Sequence, residues 1–367
     1  MLIAVFALAG LQTDTSTSKG LYLAFRSFSD SFFVILLAFH LSRQAKLEEI
    51  LKGIKIFLTF FFVLGILEYL LKQNLIYKWI CESFPIYKGL FDLNGILLST
   101  EGWRPRVFIT TIHANTLGCL LSLLFWLYFP KIFKTHDAER KNCLLYLGII
   151  LLLTVFTGSL TALVSIAASV AIFLMRKLIP SLQLLVLAFA IFTSGYALNI
   201  AVNNLVYREG SSLDMRQNQI LYTLLLIKDN PLRGHGFNYI NDVVFEKDAY
   251  GDRIDTSLGS EIGALESILF SWWIERGLIF LIVFFAYMIA LMFYFRKHRR
   301  QNMAVEGEYL VLTLSFFLIL SGEMGGNTFM GSCLIGLCLG TVFKEQEIDS
   351  KELDDESHEG SEKTALL

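Results

Sequence analysis

Residues 267–295 read SILFSWWIERGLIFLIVFFAYMIALMFYF, and the basic run RKHRR follows at once. No residue from Gly277 to Phe295 carries a charge. A helix needs about 20 apolar residues to cross a hydrocarbon core ~30 Å thick, so this stretch reads as a membrane span. Comparable runs lie at 28–42, 54–72, 107–129, 143–157, 159–176, 179–201, 308–323 and 327–343, with a weaker one at 1–11. Residues 1–11 (MLIAVFALAGL) lack a basic leader and read as a short or clipped first helix rather than a cleaved signal. The chain is 54% hydrophobic and only 17% charged, with a mean hydropathy of +0.56. A soluble helical fold would leave far too much of that apolar surface in water. The expected fold is therefore an all-α polytopic membrane protein of about ten transmembrane helices.

Basic residues orient the spans. Arg43, Lys46, Lys52 and Lys55 fill one connection, and Lys131, Lys134, Arg140 and Lys141 a second. Arg176 and Lys177 mark a third, and Arg296, Lys297, Arg299 and Arg300 a fourth. Alternation puts all four on one side, the cytoplasmic one. The tail then lies inside as well. From Lys344 to Lys363 it carries nine acids against three lysines. Such a composition cannot bury a core and reads as disordered. The expected organisation is one transmembrane domain over 1–343 and an acidic cytoplasmic tail over 344–367. The balance outside the tail is only mildly positive, so nucleic acid is not an expected partner.

Two larger segments fall on the outer side. In the first, 73–106, the stretch LIYKWICESFPIYKGLF (75–91) mixes aromatics and lysines as interfacial helices do. The second is a large loop over about 202–265. Within it SSLDMRQNQILYTLLLIKDNP (211–231) reads as a helix. Ser211 and Asp214 have capping-box spacing. Pro231 ends the helix because proline disfavours helical backbone at the preceding residue. A glycine-rich turn, LRGHGF (232–237), follows.

The candidate chemistry sits on this outer side. Arg106 stands at the mouth of the 107–129 span, where an arginine either snorkels to the headgroups or meets a ligand. Arg216 lies in the first turn of the loop helix, where positive charge opposes the helix dipole. Arg208 and Arg233 flank that helix, and Arg104 neighbours Arg106. A guanidinium meets phosphate oxygens bidentately and stays charged at any relevant pH. A lipid diphosphate, with its head at the interface and its tail in the bilayer, is the natural ligand class. Glu266 begins the 267–295 span. It is either a base for a sugar hydroxyl or a carboxylate stabilised by the helix dipole. Glu275 is either functional, as ionisable groups within spans often are, or an ion-pair partner of Arg276 or of another helix. His113 and Asn115 read as interhelical hydrogen-bonding groups. His235 is either a ligand contact or a turn residue. Glu68 and Glu323, near outer helix ends, read as structural.

No GxxxxGK[ST], GxSxG or HExxH occurs, so ATP use is not expected and an enzyme here would act on an already activated substrate. Cys81, Cys119, Cys143, Cys333 and Cys338 show no metal-ligand spacing. No metal and no cofactor is expected.

Four segments together resemble the O-antigen ligase and O-antigen polymerase superfamily of bacterial envelope glycosyltransferases. Arg216 precedes PLRGHG (231–236) at the spacing of that family's arginine, helix and Pro-Leu-x-Gly-x-Gly turn. RVFITTIHANTLG (106–118) is similar to its arginine followed by Asn-x-Leu-Gly. Thr157-Gly158-Ser159 matches the start of a Thr-Gly-Ser-Arg turn, with Leu160 in place of the arginine. Glu266-Ser267 to Glu275-Arg276-Gly277-Leu278 matches the beginning of the helix after the large loop. The four stand in family order across 104–295.

The resemblance implies a GT-C-like membrane glycosyltransferase in the bacterial inner membrane, with its active site on the extracytoplasmic face. The donor it implies is a glycan on undecaprenyl diphosphate. Arg106 and Arg216 would hold the diphosphate, and Glu266 would be the base. Arg104, Arg208, Arg233 and His235 would be substrate contacts. A flippase and a chain-length regulator are the protein partners it suggests. Ligases of the family carry His-Asn where this chain has Glu266-Ser267, which turns the expectation toward a polymerase of lipid-linked repeat units. A ligase is the alternative, and a lipid-linked sugar transporter is the reading of another class.

Overall fold

The computed structural model describes residues 21–22, 25–26, 29, 33–45, 47–84, 100–101, 104–109, 111, 114–133, 137–175, 221–237, 239–240, 268–297, 307–320, 331–341 and 343. The expected spans at 1–11 and 179–201, much of the loop 202–265 and the tail 344–367 lie outside them.

The described chain is helical. Its elements are α1 (Val34–Gln44), α2 (Leu47–Leu71), α3 (Leu75–Ser83), α4 (Ala114–Tyr128), α5 (Asp137–Thr157), α6 (Leu160–Leu174), α7 (Ile268–Lys297), α8 (Gly307–Leu320) and α9 (Gly331–Thr341). A short helical stretch at 221–227 precedes the glycine-rich turn. The all-α expectation needs one amendment. Thr100–Glu101 and Arg104–Pro105 pair as two antiparallel strands, β1 and β2, in a hairpin too short for sequence periodicity to show.

Four described helices are long and apolar enough to cross a membrane: Glu49–Leu71, Ala114–Phe133, Asp137–Thr157 and Leu269–Lys297. Three shorter apolar helices, α6, α8 and α9, accompany them. The chain is a multi-pass membrane protein.

The bundle is built around α4. Nearly every α4 residue from Leu117 to Tyr128 is buried. It packs on α5, α6 and α8, while α7 packs on α8 and α2 on α5. A helix apolar all round belongs in the centre of a bundle. By contrast α2, α5 and α7 leave most of their apolar surface open, as lipid-facing helices do. Polar side chains tie the centre together, a recurring device where lipid weakens the hydrophobic drive. Trp126 Nε1 donates to Thr313 Oγ1 at 2.6 Å. That hydroxyl lies 2.7 Å from Ser169 Oγ, joining α4, α8 and α6. Trp126 also stacks on Tyr309 with ring centroids 5.0 Å apart. On another side, Gly336 and Gly340 of α9 lie against Ile35, Ala38, Phe39 and Ser42 of α1, the close crossing that small residues four apart permit.

The basic connections that lead into α2 and α5 lie at one end. Lys55 of α2 lies over the Tyr146 ring of α5 at 5.8 Å, and α5 begins beside the Lys131 turn. The opposite end holds the close of α2, the start of α4 and the turn from α5 to α6.

One boundary differs from expectation. The span read as 107–129 becomes helical only at Ala114. Residues 107–109 run without helical pairing, their backbone N–H groups taken by Phe156 and Glu68, and Ile109 has a φ of +50°.

Candidate functional site

Arg106 sits at the end of the bundle away from the basic connections, and two sets of contacts place it. The first set holds the chain on either side. Val107 N donates to Phe156 O of α5 at 3.0 Å. Phe108 N and Ile109 N donate to Glu68 Oε1 and Oε2 at 3.0 and 2.9 Å. Asn74 Nδ2 donates to Ile109 O at 2.7 Å, while Asn74 Oδ1 caps α3 by accepting from Tyr77 N at 2.9 Å. Glu68 and Asn74 are both buried. Burial, and after it the Glu68 charge, raises the Tyr77 hydroxyl above its ordinary pKa.

The second set holds the guanidinium itself. Arg106 Nε donates to Thr157 O at 3.2 Å, and Nη2 donates to Asn115 Oδ1 at 3.3 Å. Thr157 ends α5, so its carbonyl is among those a helix leaves without an internal partner. A cation is also favoured there by the helix dipole. The turn that follows is shaped for this. Gly158 has a φ of +64°, and a Cβ on it would meet Arg106 Cγ at 3.5 Å. Ser159 Oγ caps α6 through Ala162 N at 3.4 Å, and Thr157 Oγ1 accepts from Ser159 N at 3.1 Å. Gly118 lets α4 approach this corner, since a Cβ there would stand 2.9 Å from the Cβ atoms of Ala162 and Ser159. The 106–118 and 157–159 motifs thus form one structure.

The other two motifs form a second. α7 breaks at Gly277, whose φ and ψ are 76° and 172°. A break frees backbone groups that must find partners in or near a membrane. The glycine-rich turn supplies them. His235 N donates to Ile274 O and Gly236 N to Glu275 O, each at 2.8 Å. In return Leu278 N donates to Pro231 O at 3.1 Å and Ile279 N to Leu232 O at 3.2 Å. Trp273 Nε1 adds a bond to Pro231 O at 3.0 Å. Gly234 is buried in this contact with a φ of +76°. About 20 residues separate the break from Lys297, and at 1.5 Å each they span ~30 Å, one hydrocarbon thickness. The turn therefore closes α7 near the membrane boundary.

Arg276, beside the break, lies among three rings. Its guanidinium carbon is 4.5 Å from the Phe237 ring centre, 5.0 Å from that of Trp272 and 4.9 Å from that of Phe280. It fastens the far end of the turn to α7 by cation–π contact.

Among the residues singled out from sequence, His235 is buried, its Nε2 2.8 Å from Leu226 O and its ring stacked on Tyr239. Arg233 is exposed. Arg104 lies in β2, paired with Glu101. Arg208, Arg216 and Glu266 lie outside the described residues, as does His113. Sequence reading did not find the Glu68–Asn74 clamp or the break at Gly277. A carboxylate inside an apolar run and a glycine inside a span were the available signals. Among the described residues, no group of three or more His, Cys, Asp or Glu side chains could hold a metal ion.

Residues 142–285 match the O-antigen ligase family. The match covers less than half of the 367-residue chain and shows that this segment is similar to the family. The matched segment runs from α5 into α7, and so contains the Thr157-Gly158-Ser159 corner, the glycine-rich turn and the break at Gly277. Arg106 lies before the matched segment and is bonded to it through Thr157 O. No curated protein and no solved structure matches the chain.

Proposed function

We propose that this protein is a membrane glycosyltransferase of the O-antigen ligase type, moving a glycan from a lipid diphosphate to an acceptor hydroxyl. The observation that carries the reading is the match to the O-antigen ligase family over 142–285, a segment bonded at Thr157 to the arginine outside it. The donor is a glycan on undecaprenyl diphosphate. The acceptor oxygen attacks the anomeric carbon while that carbon's bond to the diphosphate oxygen breaks, and the electron pair leaves with the diphosphate. Arg106 and Arg216 neutralise the departing charge, the kind of fixed electrostatic stabilisation that lowers such barriers. Glu266 takes the acceptor proton. Arg104, Arg208 and Arg233 are secondary contacts for the donor. His235, bonded at Leu226 O, supports the turn. The membrane domain covers 1–343 with its outer loop at about 202–265, and 344–367 is a cytoplasmic tail. The site faces the extracytoplasmic side of the bacterial inner membrane, opposite the basic end of the bundle.

A second reading, polymerisation of lipid-linked repeat units, is favoured by Glu266-Ser267 standing where ligases carry His-Asn. Purified protein in proteoliposomes, given lipid-linked repeat units with and without a second acceptor, separates the two. Transfer only to the added acceptor supports the ligase. Chain growth without it overturns the ligase reading in favour of the polymerase. Glycan crossing the vesicle wall with no new glycosidic bond would reject both.

A further inference from the structure

We infer that Glu68 is a positioning residue for Arg106, setting the guanidinium through the backbone of residues 106–109. The inference rests on the proposed role of Arg106 and deepens it. Glu68 is 3% exposed, three residues before the end of α2. A carboxylate in that setting is costly unless its oxygens are satisfied. Here its two oxygens accept from two successive backbone amides, Phe108 N at 3.0 Å and Ile109 N at 2.9 Å. Bonds to a charged acceptor are the stronger kind. Two of them on adjacent amides fix the direction of the peptide plane between them.

The position of Glu68 makes this more than anchorage. Ile109 has a φ of +50°, a conformation a β-branched residue seldom adopts. Its N–H is held by Glu68 and its carbonyl by Asn74, whose Nδ2 lies 2.7 Å away. The chain therefore turns at Ile109, just after Arg106 and Val107, and Thr111 N donates to Phe108 O at 2.8 Å. With the clamp in place, Val107 N reaches Phe156 O and Arg106 Nε reaches Thr157 O. Glu68 thus acts on the guanidinium by way of two backbone bonds.

The test uses the full-length protein in proteoliposomes and reads Arg106 directly. Phenylglyoxal modifies guanidinium groups, and mass spectrometry of the peptides gives a rate for each arginine. In Glu68→Gln, one acceptor oxygen becomes an NH2 group facing a backbone N–H. Arg106 modification is expected to speed up by roughly tenfold, while exposed Arg233 keeps its rate. Asn74→Asp, which replaces the donor to Ile109 O with an acceptor oxygen and keeps the acceptor for Tyr77 N, is expected to act in the same direction and serves if Glu68→Gln does not insert. An unchanged Arg106 rate in an inserted variant overturns the inference. So does an equal rise at Arg233, which would mean general loosening.

Transfer kinetics supply the second readout. A positioning role lowers kcat per correctly folded, inserted molecule, and kcat/KM for the lipid-diphosphate donor with it, while the acceptor KM is unchanged. A purely structural role lowers the active fraction and moves neither that kcat nor either KM. Full activity of Arg106→Ala would refute the proposed function while leaving the modification rates to decide the geometric claim.

Discussion

Gly234 and Gly277 meet backbone to backbone, so that a Cβ on Gly234 would stand 2.6 Å from Gly277 N. This contact explains why a glycine-rich turn and a glycine inside a span occur in one chain. The turn satisfies the groups that the break exposes, and neither glycine can gain a side chain without parting the two.

Gly277→Ala is therefore expected to be severe. Its backbone conformation costs a non-glycine residue about 1–3 kcal/mol, and the new Cβ would also run into Leu232 O. Gly158→Ala should be milder. Its φ of +64° carries a cost of ~1–2 kcal/mol, but its Cβ would meet only ordinary contacts with Arg106 at 3.5 Å and beyond. Thermal unfolding in detergent should rank the two in that order. Proteolysis within 231–237 should accelerate only in Gly277→Ala.

Arg106→Ala should lower glycan transfer by about 100-fold, the loss typical of removing one preorganised group that stabilises transition-state charge. Arg106→Lys should not restore it. Lysine keeps the charge but cannot bond Thr157 O and Asn115 with one planar fork. Membrane fraction and elution volume should match the parent for both. Parent-level turnover in Arg106→Ala would remove this arginine from the site.

Trp126→Phe should cost about 1 kcal/mol, near the range measured for interhelical hydrogen bonds in membrane proteins. It removes the donor to Thr313 Oγ1 and keeps the ring stacked on Tyr309. A cycle with Thr313→Val, followed by denaturant unfolding in micelles, should show coupling between the two positions. Strict additivity would mean the bond contributes nothing.

Helix glycines should divide by what lies opposite them. Gly340→Leu should separate α9 from α1, because the added side chain would strike Ser42 and Phe39. Gly148→Ala meets nothing within 4 Å. It should be neutral or stabilise by about 0.5–1 kcal/mol, since alanine is the better helix former. Unfolding midpoints of the two variants check the contrast.

Sequence alone determined the membrane class, most of the described span positions, the end of the loop helix before Pro231 and the four motif segments that carry the family resemblance. These are local properties: hydropathy over about 20 residues, proline's effect on its neighbour, residue order over a short window. Only the tertiary structure decided how the motifs pair, with Arg106 meeting Thr157 and Asn115, and the glycine-rich turn meeting the break in α7. It also decided that α4 starts at Ala114 rather than 107, because Glu68 and Asn74, some forty residues earlier, claim the backbone of 108 and 109. Hydropathy records which residues avoid water. It does not record which distant donor and acceptor will meet once they have done so.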